Sequence, residues 1–205
     1  MTPAPLPPDQ PPDPGGDRVL PPGQRHTDKL VPMHYGRVPR LDLQHWALTV
    51  GGATRDGGVQ VLDWAALQRL PTRTVRADLH CVAKVSVSGL VWTGVPLSEV
   101  IALAPPEPGA EHVLLSAAYG YSAAVPLAEL DVPEALLATH LDGQALTPEQ
   151  GWPARIVMPH LYGFKGPKWV LALDYHHHPQ RGMWEEHGYH PRGRVWEQER
   201  YAHQD

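Results

Sequence analysis

Apolar and polar residues alternate along much of this chain with the two-residue period of a half-buried strand. HWALTVGG (residues 45–52) alternates and ends in a glycine pair, which predicts a strand followed by a turn. TRTVRADLHCVAKVSV (72–87), EHVLLSAA (111–118), YSAAVPL (121–127), ARIVMPHL (154–161) and KWVLALDYH (168–176) also read as extended. Helical spacing appears in LDWAALQRL (62–70), with Asp63 near its start and Pro71 beyond its end. PLSEVIALA (96–104) is a second short helix, opened by Pro96 and stopped by Pro105 and Pro106. LAELDVPEALLA (127–138) predicts a third, broken at Pro133. Residues 179–205 look irregular. Strands and helices do not alternate regularly, so the pattern predicts an α+β fold with a largely mixed sheet.

Composition changes the picture at the N-terminus. Nine of the 24 prolines fall within the first 22 residues, so residues 1–25 are expected to be a disordered or extended tail, with VLPPGQR (19–25) against the surface. Residues 26–205 are expected to form one domain. A net charge of −5 points away from nucleic acid and anionic membranes. No apolar run approaches a membrane span, and no secretory signal opens the chain, so a cytoplasmic protein is the default expectation. A single cysteine excludes an internal disulfide framework.

Glycine-rich dinucleotide loops, phosphate loops, nucleophile elbows and paired-cysteine zinc motifs are absent from the sequence. In YHHH (175–178) only His176 and His178 share a strand face, which favours a solvated strand end over a metal site. The stronger signal is GWPARIVMPHLYGFKGPKWV (151–170), which holds Arg155, Lys165 and Lys168 and no acid. Gly166 and Pro167 shape a turn whose N–H groups, with these cations, would form an anion site suited to a phosphate-bearing cofactor. Cys81 has no carboxylate between Asp78 and Glu99, which removes a charge opposing its thiolate.

DLHCVAKVS, VWTGVPLSEVI, HVLLSAAYGYSAAVPLAEL, LLATHLDGQALTPEQGWPARIVMPHLYGFKGPKWV and GMWEEHGYHPRGRVWEQERY, in that order, resemble the molybdopterin-binding domain of the sulfite oxidase family. They are most similar to its small bacterial members. The resemblance implies a molybdenum–molybdopterin oxidoreductase that transfers an oxygen atom to or from a small oxo-acid or oxide. It implies Cys81 as the metal's thiolate and an external electron carrier. Arg155, Gly166, Pro167 and Lys168 match positions that hold the pterin's phosphate and ring, and His34 and Tyr35 match a pterin-contacting loop. His80 or Ser86 is expected to support the cysteine sulfur. Lys84 stands where relatives carry arginine and is the candidate substrate cation. The C-terminal arm (182–201) is expected to be clamped by Trp184, Tyr189 and Trp196, and on a sharper reading turns His187, His190 or Arg192 toward the site. The alternatives are a cofactor-binding protein without catalysis and a cysteine nucleophile activated by His80.

Overall fold

A computed structural model describes residues 19–204. Most of the proline-rich tail expected over residues 1–25 thus lies outside the described residues. Two sheets carry the fold, with few helices. The first contains β1 (Arg25–His26), β4 (Arg73–Cys81), β5 (Val85–Pro96), β8 (Leu136–Leu141), β9 (Gln144–Ala145) and β10 (Arg155–Val157). The second runs in the order β3 (Gln60–Asp63), β2 (Ala47–Gly52), β11 (Val170–His176), β6 (His112–Ala117), β7 (Ser122–Pro126). In it β2 and β11 are parallel and all other pairs antiparallel, which makes the sheet mixed. Among the described residues three short α-helices accompany the sheets: α1 (Trp64–Leu67), α2 (Leu97–Leu103) and α3 (Met183–Glu186). Asp63 caps α1, its carboxylate accepting from the Ala66 N–H at 2.7 Å.

Alternation explains how one strand serves two cores. On β8, Leu137 packs into the larger core with Leu48, Val50, Val113, Leu115 and Leu173. Its neighbours Leu136 and Ala138 face the smaller core with Val75, Leu90 and Trp92. β10 repeats the pattern with Ile156 and Val157.

Two expectations are corrected. The third predicted helix is a single 3₁₀ turn at Leu127–Glu129, after which the chain enters β8. A strand buried on both faces has an apolar run that cannot be told from a buried helix by periodicity. The arm is not anchored by buried tryptophans: Trp196 is 42% exposed. Its buried anchors are Glu185, His190, Val195, Glu199 and Arg200. Arg194 reaches Glu129 at 2.9 Å, and Glu199 receives the Arg194 N–H, also at 2.9 Å.

Candidate active site

Cys81 ends β4 and opens a hairpin to β5, in which His80 pairs with Ser86 and Cys81 with Val85. Val82, Ala83 and Lys84 form the loop, and the Lys84 N–H returns to the Cys81 carbonyl at 3.0 Å. Lys84 adopts φ 68°, the left-handed residue that closes a three-residue hairpin loop. Its side chain is exposed. Behind the cysteine, His80 is buried with Nδ1 2.7 Å from Ser86 Oγ. Burial pushes its imidazole down to about 4, partly opposed by Asp78, so it is neutral. Among the described residues no hydrogen bond joins His80 to Cys81, and the His80 ring bonds Ser86 instead.

The free Cys81 thiol is half-buried and lines a cavity of about 460 Å³. Arg155 and Lys168 line the same cavity, brought together by a bridge between their backbones. Arg155 is buried, its guanidinium 5.2 Å from the Trp92 ring centre. Nη1 donates to the Gln150 carbonyl at 3.1 Å, and Nε has no protein partner. Lys168 donates to the Glu149 carbonyl at 2.8 Å. Neither cation forms a salt bridge among the described residues. Burial pushes Arg155 down to about 10. Burial and then the Arg155 charge push Lys168 down to about 8. Two partly desolvated cations beside one another, opposed only by the Glu149 charge on Lys168, make a site that gains stability from an anion.

Glycines build this end. A Cβ on Gly166 would lie 2.5 Å from the Ile156 carbonyl, so the residue permits close approach of its own neighbouring strand. Gly151, at φ 115°, lets its loop sit against Arg155 and Lys168. Tyr121 donates to the Phe164 carbonyl at 2.6 Å and ties the 163–165 turn to β7; burial raises its phenol well above the ordinary range.

Of the residues singled out from sequence, His34, Tyr35, His80, Cys81, Arg155, Gly166, Pro167 and Lys168 meet at this cavity. Lys84 and Lys165 do not line it. Lys165 is fully buried and points away, donating to the carbonyls of Ala124 (2.7 Å) and Pro191 (2.5 Å) and pairing with Glu185. His187, His190 and Arg192 also lie outside the lining. Arg192 pairs with Glu199, and His190 Nδ1 accepts the backbone N–H groups of Arg192 and Gly193. The arm contributes Trp184 and Tyr189 instead, with ring centres 4.9 Å apart. The Tyr189 phenol is pushed up by burial, then by Tyr201 and by Cys81 beside it. Trp169, edge-on to His34 at 5.9 Å, completes the aromatic wall. Sequence reasoning missed Tyr121, Trp169, Trp184 and Tyr189 as wall residues, although all four are aromatics next to motif residues. Among the described residues no group of three metal-ligating side chains occurs, so His176 and His178 form no such site.

A free thiol, an orphaned buried Arg155 Nε, two neighbouring cations and aromatic walls fit a phosphorylated pterin carrying a thiophilic metal. Comparison with known proteins agrees. Residues 35–184 match the family model described as the oxidoreductase molybdopterin binding domain. The chain is 33% identical over 184 residues to the uncharacterized oxidoreductase YuiH of Bacillus subtilis, covering 89% of this chain and 92% of YuiH. It is 31% identical over 162 residues to the protein-methionine-sulfoxide reductase catalytic subunit MsrP of Xanthomonas axonopodis, covering 72% of this chain but only 49% of MsrP. The sulfane dehydrogenase SoxCD of Paracoccus pantotrophus shares the fold at a TM-score of 0.69 and 24% identity, over 80% of this chain and 47% of SoxCD. Family model and fold thus meet the resemblance read from the motifs around Cys81 and Arg155: the chain belongs to the oxidoreductase molybdopterin-binding domain family, and is an oxidoreductase whose cofactor is molybdenum with molybdopterin.

Proposed function

We propose that Cys81 is the protein's ligand to molybdenum, that Arg155 and Lys168 hold the pterin phosphate, and that the chain carries out two-electron oxygen-atom transfer on a small oxide. The observation that carries this reading is a single cavity shared by the thiol, by buried Arg155 and by half-buried Lys168, neither cation held in a salt bridge among the described residues. When bound, the metal–pterin group supplies the two-electron redox couple. The protein's part is to bind, orient and shield. Arg155 and Lys168 are charge-assisted donors to phosphate oxygens. Phe164, Trp184 and Tyr189 form the wall near the thiol and exclude water. Tyr189, beside Cys81 and with a raised pKa, keeps a proton on its hydroxyl for donation to a substrate oxygen.

With Arg155 and Lys168 committed to the phosphate and Lys84 turned to solvent, the lysine left at the cavity is exposed Lys29. That supply suits a neutral or singly charged oxide, such as the sulfoxide in the name of MsrP, better than a dianion. The electrons pass to or from an external carrier.

The test is elemental analysis and optical spectroscopy of protein produced with molybdate, with Cys81→Ser beside it. Molybdenum in the wild type, a thiolate-to-metal absorption band lost in Cys81→Ser, and loss of sulfoxide turnover are expected. A metal-loaded Cys81→Ser with the wild-type band and turnover would overturn the assignment.

A further inference from the structure

The family match begins at residue 35, yet an earlier segment reaches the back of the metal-binding hairpin. Pro21, Pro22, Gly23 and Gln24 form a turn, closed by the Gln24 N–H on the Pro21 carbonyl at 3.1 Å. Proline second and a glycine at φ 71° third is the pattern of a type II turn. The turn is held from the far end of the chain. Buried Arg200 stacks over the Tyr162 ring at 5.2 Å and donates from Nη2 to the Pro22 carbonyl at 3.0 Å.

The turn delivers Gln24 into a buried position. Its Nε2 donates to the Cys81 carbonyl at 3.2 Å, and its Oε1 accepts from Ser86 Oγ at 3.3 Å. With that hydroxyl proton used, His80 must donate from Nδ1 to Ser86 Oγ, which assigns its tautomer. The next residues continue along the hairpin. Arg25 N–H donates to the Lys84 carbonyl at 3.0 Å and Thr27 N–H to the Ser86 carbonyl at 2.9 Å, as β1 pairs with β5. Every one of these bonds ends on residues 81–86, the hairpin that carries the thiol.

We infer that Gln24 is a positioning residue for Cys81: its amide bridges the cysteine carbonyl and Ser86, so that residues 21–27 belong to the metal centre although they lie outside the family match. The inference rests on Cys81 being the metal ligand. A cysteine at a strand end, beside a three-residue loop, has a ladder partner on one side only. The bridging amide adds a second donor to the Cys81 carbonyl, which already accepts the Lys84 N–H, ties that carbonyl to Ser86 and fixes the direction of the Cα–Cβ bond, as supporting hydrogen bonds do for metal ligands in general.

Because Cys81 is the only thiol, its alkylation reads one site. In metal-free protein, Gln24→Ala should raise the iodoacetamide rate about tenfold, the effect of losing hydrogen bonds worth together about 1.4 kcal/mol. Gln24→Asn keeps the amide but is one methylene too short to bridge, and should behave the same way without a change in polarity. After molybdenum loading, both variants should keep the metal and shift the Mo(V) electron paramagnetic resonance spectrum. Wild-type alkylation rates in both would overturn the inference. So would faster alkylation with an unchanged resonance spectrum, since the segment would then brace the hairpin without orienting the ligand. Failure of the ligand assignment itself would appear separately, as a wild-type resonance spectrum in Cys81→Ser.

Discussion

Replacing Lys165 by Met separates structural support from cofactor contact. The ammonium is completely buried. It satisfies the Ala124 and Pro191 carbonyls and the Glu185 carboxylate. Glu185 is itself buried, its Oε2 already lacks a partner, and the Ala124 N–H would be the remaining donor to Oε1. Desolvation lowers the lysine's pKa, and the Glu185 charge and hydrogen bond oppose the shift. Removing one member leaves an uncompensated buried charge, which costs roughly 3–5 kcal/mol. In a chain of this size each kcal/mol is worth about 2–4 °C, so metal-free Lys165→Met should melt roughly 6–20 °C below wild type. Lys165→Met with Glu185→Leu removes both charges and should recover about 1–3 kcal/mol of that loss. The remainder reflects the two carbonyls left without a donor, at about 1 kcal/mol each. Thermal melts of the wild type, the single variants and the double variant give the coupling energy directly. A Lys165→Met protein that melts within a degree of wild type but no longer retains molybdopterin would refute this reasoning and return Lys165 to the cofactor.

The cofactor end should behave in the opposite way. Arg155→Ala with Lys168→Ala removes charge-assisted bonds worth about 1.5–3 kcal/mol each, so pterin affinity should fall by roughly two to four decades if the effects add, as measured by retention after dialysis. Unchanged retention would place the phosphate elsewhere. Lys168, at about 8 before an anion binds, loses its proton as pH rises through that value, whereas bound phosphate holds it protonated; affinity should therefore drop between pH 7 and pH 9.5 in the wild type and not in Lys168→Arg. At the hairpin tip, a β-branched residue cannot easily adopt the φ of Lys84, so Lys84→Val should cost about 1 kcal/mol while Lys84→Gly leaves the melting temperature level or higher. The reverse order would mean that the lysine side chain, not its backbone, matters there.

Alternation along KWVLALDYH and EHVLLSAA was enough to place two neighbouring strands of the second sheet, because each side chain's face follows from its parity alone. Asp63 and Pro96 marked helix starts for equally local reasons. The cysteine and the acid-free basic stretch identified the chemistry, since residue types carry it whatever the fold. Direction was another matter. Lys165 and Lys168 stand three residues apart in one turn, yet one is drawn to a carboxylate twenty residues later and the other lines the cavity. Nothing local distinguishes them. The choice is made by which long-range partner can neutralise a buried ammonium, and only the packing of the arm against β7 brings Glu185 there. Lys84 was read for its charge, but a positive φ at the loop's third residue turns its side chain to solvent. Gln24 carried no signal at all: its role exists because Arg200, from the other end of the chain, holds the Pro21–Gln24 turn against the back of the hairpin. Local pattern determined the elements and the inventory of chemical groups, while long-range contacts decided which of those groups face the cavity and which hold it in place.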